Sequence, residues 1–129
     1  MKEPLWLTIE AVLAFHAELV AEHGGELALR DRGLLESALA SPRNHHVYGE
    51  RDIFALATAY ANALTRNHPF VDGNKRSAFL AAYTFLGING SELVAPETEA
   101  VEFTLGLAAR QISEDQFTLW LRRSCKRAD

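Results

Sequence analysis

The sequence predicts an all-α fold, a bundle of about six helices around a buried central helix, in a single domain spanning residues 1–129. Apolar residues recur at helical spacing in most segments, and capping residues precede several of them. No segment shows the alternation of apolar and polar residues that is typical of strands. Apolar residues make up 48% and charged residues 23%, so a core can form without disulfides or structural metals.

The first predicted helix begins after Thr8, a common N-cap residue, and ends at Gly24-Gly25. Its apolar face includes His16, which we interpret as a buried histidine with a hydrogen-bond partner. The face consists of Ile9, Val12, Leu13, His16, Leu19 and Val20.

The second predicted helix runs from about Asp31, its expected cap, to Ala40, because Pro42 follows. The polar stretch Arg43 to Arg51 (RNHHVYGER) then predicts a loop or a short hairpin. His45-His46 lies in this stretch without a third ligand at useful spacing, so loop histidines are favoured over a metal site.

The third helix has one apolar face and stops at a break, His68-Pro69. A fourth segment follows from about Asn74 to Leu86, and Gly87 and Gly90 are expected to end it. Its stretch SAFLAAYTFL is apolar almost all round, which is typical of a helix at the centre of a bundle. The face of the third helix consists of Ile53, Phe54, Ala57, Tyr60, Ala61 and Leu64.

Two further helices complete the predicted bundle. The last begins with a capping box, Ser113 to Gln116. The fifth helix carries Val101, Leu105, Ala108, Ala109 and Ile112, and the sixth is expected to bury Phe117, Trp120 and Leu121.

Composition excludes several classes of function. The net charge of −4 argues against bulk attraction to nucleic acids or anionic membranes. The longest apolar stretch, Ala78 to Leu86, is too short to span a bilayer, and MKEPLWLTIE does not resemble a signal peptide. The single cysteine, Cys125, fits a reducing compartment, so a cytoplasmic location is expected.

The segment His68 to Arg76 (HPFVDGNKR) departs from ordinary bundle design. Pro69 disfavours helical angles at the residue before it, and Asp72-Gly73-Asn74 are turn and cap residues, so the fourth helix should start there. A helix N-terminus attracts anions, whereas Lys75 and Arg76 in its first turn each cost about 0.3–1 kcal/mol when nothing offsets them. A bound polyphosphate would offset them.

Two side chains in this segment can do chemistry beside such an anion. Asp72 is a suitable ligand for Mg²⁺, which proteins commonly bind through one or two carboxylates and phosphate oxygens. His68 can act as a general base toward an attacking hydroxyl. Taken singly, His68 also suits a helix C-terminus, Asp72 suits an N-cap, and Arg76 can pair with Glu50 or Asp52.

The nine residues HPFVDGNKR resemble the signature of the Fic/Doc family, whose pattern is H-x-F-x-(D/E)-G-N-(G/K)-R. Arg30 to Leu39 (RDRGLLESAL) is similar to the segment that precedes this signature in the family. The length and the C-terminal helices resemble the death-on-curing (Doc) branch, and the resemblance covers nearly the whole chain.

The resemblance implies a role for each residue of the motif. His68 would be the catalytic base, Phe70 an inward anchor, and Asp72 the ligand of Mg²⁺. Backbone and side chains further along would bind the phosphates of ATP, namely Gly73, Asn74, Lys75 and Arg76.

Lys75 stands where adenylylating relatives have a glycine, and Phe79 stands where they have an arginine. Both departures resemble the Doc branch, which transfers the γ-phosphate of ATP to a threonine of elongation factor Tu. The resemblance therefore implies a kinase-like toxin that inhibits translation and is neutralised by an antitoxin protein. Transfer of AMP and a catalytically idle binding module remain alternatives.

Two other segments have counterparts in the family. Thr98 to Phe103 (TEAVEF) is the nearest match to its inhibitory motif, with Phe in place of Gly or Asn. We interpret it as an ordinary amphipathic helix, so inhibition would come from a partner. Val47 and Tyr48 fall where the family has a flap that contacts the target.

Overall fold

The computed structural model describes residues 3–127 and has the predicted all-α architecture. Six helices are accompanied by two strands of three residues each. The elements are α1 Ile9–His23, α2 Arg32–Val47, α3 Ile53–Asn67, α4 Asn74–Ile88, β1 Ser91–Leu93, α5 Glu97–Ala108, α6 Glu114–Ser124 and β2 Cys125–Arg127. Within the described part of the chain, no helix combines the length and apolarity needed to cross a membrane.

The predicted caps are confirmed. The side chain of Thr8 accepts a hydrogen bond from the backbone of α1, and that of Asp31 accepts one from α2. Ser113 and Gln116 form both halves of the capping box at the start of α6. Each cap satisfies backbone N–H groups that have no partner inside their helix.

The predicted end of α2 near Ala40 is wrong, and the loop or hairpin predicted for Arg43 to Arg51 is found only after Val47. The helix continues to Val47 with Pro42 inside it. Proline removes one helical hydrogen bond, but the ring of Pro42 is buried against the core. Burial of the apolar ring therefore offsets the cost of the lost hydrogen bond. The sequence prediction treated proline as a helix stop and did not include this contribution.

Helix α3 has the most helical neighbours, because it packs against α2, α4, α5 and α6. Of the apolar face expected from the sequence, Ala57, Tyr60, Ala61 and Leu64 are buried, and Ile53 and Phe54 are partly buried against the core. The hydroxyl of Tyr60 accepts a hydrogen bond from Leu7 N at 3.0 Å. Burial raises the pKa of this phenol, which suits its place in the core.

Helix α4 packs against α1, α3 and α5 and buries small and aromatic side chains such as Ala78 and Phe85. A second apolar side of α4, formed by Phe79, Leu80 and Tyr83, lines a cavity. The near absence of a polar face on α4 thus reflects both packing and the cavity. The helix also continues through Gly87, where the sequence predicted its end.

Of the apolar residues that the sequence assigns to the fifth helix, Ala109 and Ile112 lie beyond the end of α5. Val101 and Leu105 are 49% and 45% exposed, whereas Ala100, Thr104 and Leu107 are buried. Both exposed side chains line the same cavity as α4. Apolar residues occupy two sides of α5, so periodicity did not distinguish the core side from the cavity side.

Strands β1 and β2 pair in antiparallel register, with Ser91 opposite Arg127 and Leu93 opposite Cys125. This pairing was not predicted, since three residues are too few to show alternation. It joins the segment after α4 to the end of α6.

Candidate active site

The motif between α3 and α4 begins with a reversal of the backbone at His68. Helix α3 ends at Asn67, and His68 is its C-cap, with φ 51° and ψ 55° in the left-handed region. Pro69 follows, so the predicted helix end near His68 is confirmed. The imidazole of His68 is exposed and lines the cavity.

The connection between α1 and α2, residues 24–31, holds this motif from one side. Arg30 donates from Nε to His68 O at 2.7 Å and from Nη2 to Asn67 O at 2.9 Å. Leu29 forms an isolated antiparallel bridge with Phe70. The guanidinium thus caps the carbonyl end of α3 and fixes the backbone of the proposed base. Arg30 had been noticed only through the family resemblance.

Inside the motif, the side chain of Asn74 clasps the backbone of Phe70. Asn74 Nδ2 donates to Phe70 O at 2.8 Å, and Phe70 N donates to Asn74 Oδ1 at 3.0 Å. Phe70 is 1% exposed, in agreement with its expected role as an inward anchor. The side-chain amide of Asn74 is therefore hydrogen-bonded within the loop. The backbone N–H of Asn74 is left available to an anion.

His16 of α1 lies beneath the motif. Its ring stacks on Phe70 with centroids 3.6 Å apart, and its Nε2 lies 2.7 Å from Asp72 O. The side chain is buried and hydrogen-bonded, which confirms the interpretation from the sequence.

Asp72 and Gly73 lie at the start of α4. The carboxylate Oδ2 of Asp72 accepts a hydrogen bond from Glu26 N at 2.8 Å, so it does not cap α4 as one alternative supposed. Gly73 is the N-cap, with φ 84° and no side-chain cap. Within residues 3–127, no hydrogen bond engages the backbone N–H of Gly73, Asn74 or Arg76. These donors form an open anion site at a helix N-terminus.

Lys75 and Arg76 are exposed in the first turn of α4. Neither forms an ion pair with another residue of the described range 3–127. Asp52 pairs with Arg122 instead, so the alternative pairing of Arg76 with Asp52 is not found. Both cations remain beside the positive end of the helix dipole, which is the unfavourable arrangement that a bound anion would reverse.

One cavity of about 770 Å³ brings together every residue that the sequence predicted for the site. His68 and the segment from Asp72 to Arg76 form one end of it. Apolar side chains of α4 and α5 form much of the remainder. His23 of α1 also lines the cavity and was not predicted, although it follows Leu19, another lining residue, at helical spacing.

Within residues 3–127, no group of three or more His, Cys, Asp or Glu side chains could hold a metal. The described residues therefore offer no cage made by protein alone, and Mg²⁺ held by Asp72 would need phosphate oxygens and water as its other ligands. His45 and His46, which the sequence placed in a loop, lie in α2 and contact backbone carbonyls.

Known proteins are similar to this chain over most of its length. Residues 6–86 match the model of the Fic/DOC family. The chain is 51% identical over 75 residues to "Toxin Doc" of Mycolicibacterium smegmatis, covering 56% of this chain and 57% of that protein. It is 32% identical over 115 residues to "Protein kinase doc" of Escherichia phage P1, covering 88% of this chain and 90% of that protein.

Proposed function

This chain belongs to the Fic/Doc family, and on that premise we propose that it transfers the γ-phosphate of ATP to a hydroxyl group of a target protein. One observation carries the proposal: an exposed imidazole, a carboxylate and an open helix N-terminus line the same cavity. These are the parts that phosphoryl transfer needs, because its catalysis consists mainly of positioning and charge stabilisation.

The nucleotide phosphates would bind at the start of α4. The free backbone N–H groups there donate to phosphate oxygens, and Lys75 and Arg76 add positive charge. Asp72 would hold Mg²⁺, which would neutralise part of the phosphate charge. Glu26 N donates to one oxygen of this carboxylate, which orients the other for a metal.

His68 would take the proton from the attacking hydroxyl. Its ring is exposed in the cavity, and its backbone is fixed by Arg30. A general base of this kind contributes about 10²–10⁴-fold to rate. His68 is therefore the residue whose loss should abolish transfer without disturbing the fold.

Lys75 and Phe79 favour transfer of the γ-phosphate over transfer of AMP. Both line the cavity. Lys75 occupies space that a diphosphate would need along the backbone, and Phe79 supplies no guanidinium for phosphate. If this steric reasoning holds, Lys75→Gly should permit some label from the α-position of ATP to reach the target. An unchanged labelling pattern in that variant would contradict it.

The name of one relative, "Toxin Doc", extends the proposal to a toxin. The family resemblance adds an antitoxin protein that would hold it in check. Following the family resemblance, we expect the target to be a threonine of elongation factor Tu, so that modification stops translation in the cytoplasm. The segment Thr98 to Phe103 lies in the first turns of α5, and Glu102 does not line the cavity. Ala100 and Val101 of the same segment do line the cavity, so the proposal of inhibition by a partner is supported by the placement of Glu102 and by Phe103 standing where the motif has Gly or Asn.

The test is to incubate the full chain with cell extract and ATP labelled at the γ- or the α-position, and to identify the labelled protein. We expect Mg²⁺-dependent label from the γ-position alone. His68→Ala should reduce it at least about 10²-fold with an unchanged melting temperature, because the imidazole is solvent-exposed. His45→Ala, an exposed histidine outside the cavity, is the matched control.

Two outcomes would replace the proposal. Label arriving only from the α-position would establish nucleotidyl transfer. No label, together with no binding of Mg-ATP in calorimetry, would favour a catalytically idle binding module. Full activity in a folded His68→Ala protein would remove the mechanism.

A further inference from the structure

The mechanism above leaves the buried imidazole of His16 without a role. His16 is 2% exposed, and the other buried polar residues of the described range are Thr58, Asn74, Ser77 and Thr104. His16 does not line the cavity but lies under the loop that does. Burying an imidazole is unfavourable unless it is hydrogen-bonded, so its partner matters.

The imidazole lies against the motif at three residues, Phe70, Asp72 and Gly73. Its face stacks on the ring of Phe70 with an interplanar angle of 7°. Its Nε2 lies 2.7 Å from Asp72 O. A Cβ added to Gly73 would lie 3.4 Å from ring atoms Cδ2 and Nε2, so the ring also lies close to this glycine. A carbonyl can only accept, and Nε2 is therefore the protonated nitrogen.

The hydrogen bond fixes more than one carbonyl. Asp72 C=O and Gly73 N–H belong to one peptide unit, which is trans. In a trans peptide the two groups point in opposite directions. Holding Asp72 O toward His16 therefore turns Gly73 N–H away from it. That N–H has no partner among residues 3–127, and Gly73 lines the cavity.

We propose that His16 is a positioning residue that orients the Asp72–Gly73 peptide so that Gly73 N–H faces the cavity as a donor to a phosphate oxygen. The proposal depends on the proposed function only in identifying the anion as part of a nucleotide. It explains why a histidine, and not an apolar residue, lies on this face of α1.

Two variants test the stacking of the His16 ring and its hydrogen bond separately. His16→Phe keeps an aromatic ring against Phe70 but removes the donor. His16→Gln keeps an N–H donor but removes the stack. Tyr60→Phe is the matched control, because it deletes one buried hydrogen bond, to Leu7 N, away from the cavity.

The experiment titrates each full-length protein with inorganic pyrophosphate and follows the amide resonance of Gly73 by ¹H–¹⁵N NMR. In the parent protein this resonance should shift on binding. His16→Phe should weaken binding about tenfold, as expected when one hydrogen bond to a charged group is lost. The affinity of His16→Gln for pyrophosphate should lie between those of the parent protein and His16→Phe. Tyr60→Phe should bind pyrophosphate as tightly as the parent. Melting temperatures of His16→Phe and Tyr60→Phe should fall by similar amounts.

Several results would overturn the proposal. They are an unresponsive Gly73 resonance in the parent, parent-like affinity in His16→Phe, or weaker binding by His16→Gln than by His16→Phe. Should both variants fail to fold, the tautomer of His16 in the parent protein becomes the test of the proposal. A proton on Nδ1 in place of Nε2 would contradict it. A chain that phosphorylates nothing but shows the expected pyrophosphate pattern would retain the positioning role while losing the kinase proposal. Undiminished kinase activity in His16→Phe would retain the kinase proposal and remove the positioning role.

Discussion

Asn74→Ala tests whether the clasp around Phe70 holds the motif loop. The Asn74 amide pairs with both backbone groups of Phe70, and the two residues are 4% and 1% exposed. Alanine would leave a buried N–H and a buried C=O without partners. Because water is excluded there, no new hydrogen bond replaces those that are lost.

The expected destabilisation follows from these two groups. Each orphaned buried group costs about 1–3 kcal/mol, so the free energy of unfolding should fall by about 2–6 kcal/mol. A domain of this size loses roughly 3–4 °C of melting temperature per kcal/mol, which gives a decrease of about 6 °C or more.

Asn89→Ala is the matched control. Asn89 clasps Leu5 in the same way, accepting from its N–H at 2.8 Å and donating to its C=O at 2.9 Å, but these bonds are exposed. Water can replace these two bonds. Asn89 Nδ2 also donates to Phe85 O at 2.8 Å in a part-buried bond, so the substitution should cost about 0.5–1.5 kcal/mol, the usual net contribution of one hydrogen bond. Thermal unfolding followed by circular dichroism measures both variants. Equal melting temperatures would refute the reasoning, since they would mean that burial at Phe70 makes no difference.

Two further predictions concern residues outside the cavity. Arg110 follows α5 with φ 61°, a left-handed conformation that favours glycine, so Arg110→Gly should raise the free energy of unfolding by about 0.5–1 kcal/mol in urea titrations; a lower midpoint would contradict this. Burial raises the pKa of Cys125 to about 11, so its thiol stays protonated at neutral pH. Its alkylation at pH 8 should be roughly a hundredfold slower than that of free cysteine and should accelerate as pH rises; the rate of free cysteine at pH 8 would argue against that burial.

The sequence predicted the elements of the bundle well where local chemistry decides them. Thr8, Asp31 and the Ser113–Gln116 box are caps whose partners lie within three residues, so a local pattern suffices. Pro42 shows where this fails. Its effect depends on a core assembled from distant segments, and burial kept the helix intact beyond it.

The site was predictable for a similar reason. The residues from His68 to Arg76 are contiguous, so their order and the physics of a helix N-terminus indicate an anion site without tertiary information. The residues that hold this motif in place are not contiguous with it in the sequence. Arg30 and Glu26 reach the motif from about forty residues away along the chain, and no spacing rule predicts such contacts. The cavity face of α5 was missed because apolar residues can line either a core or a pocket.

The pairing of residues 24–31 with the motif has a consequence for how members of this family are recognised. Gly25 leaves room for Asp72, because a Cβ there would lie 3.1 Å from Asp72 Cβ, and Arg30 holds the backbone of His68. A homologue with an unaltered nine-residue signature but a bulky residue at position 25 would have a displaced carboxylate. Surveys that count active members by the signature alone would then include inactive chains. Scoring positions 25 and 30 together with the signature would separate active from inactive members.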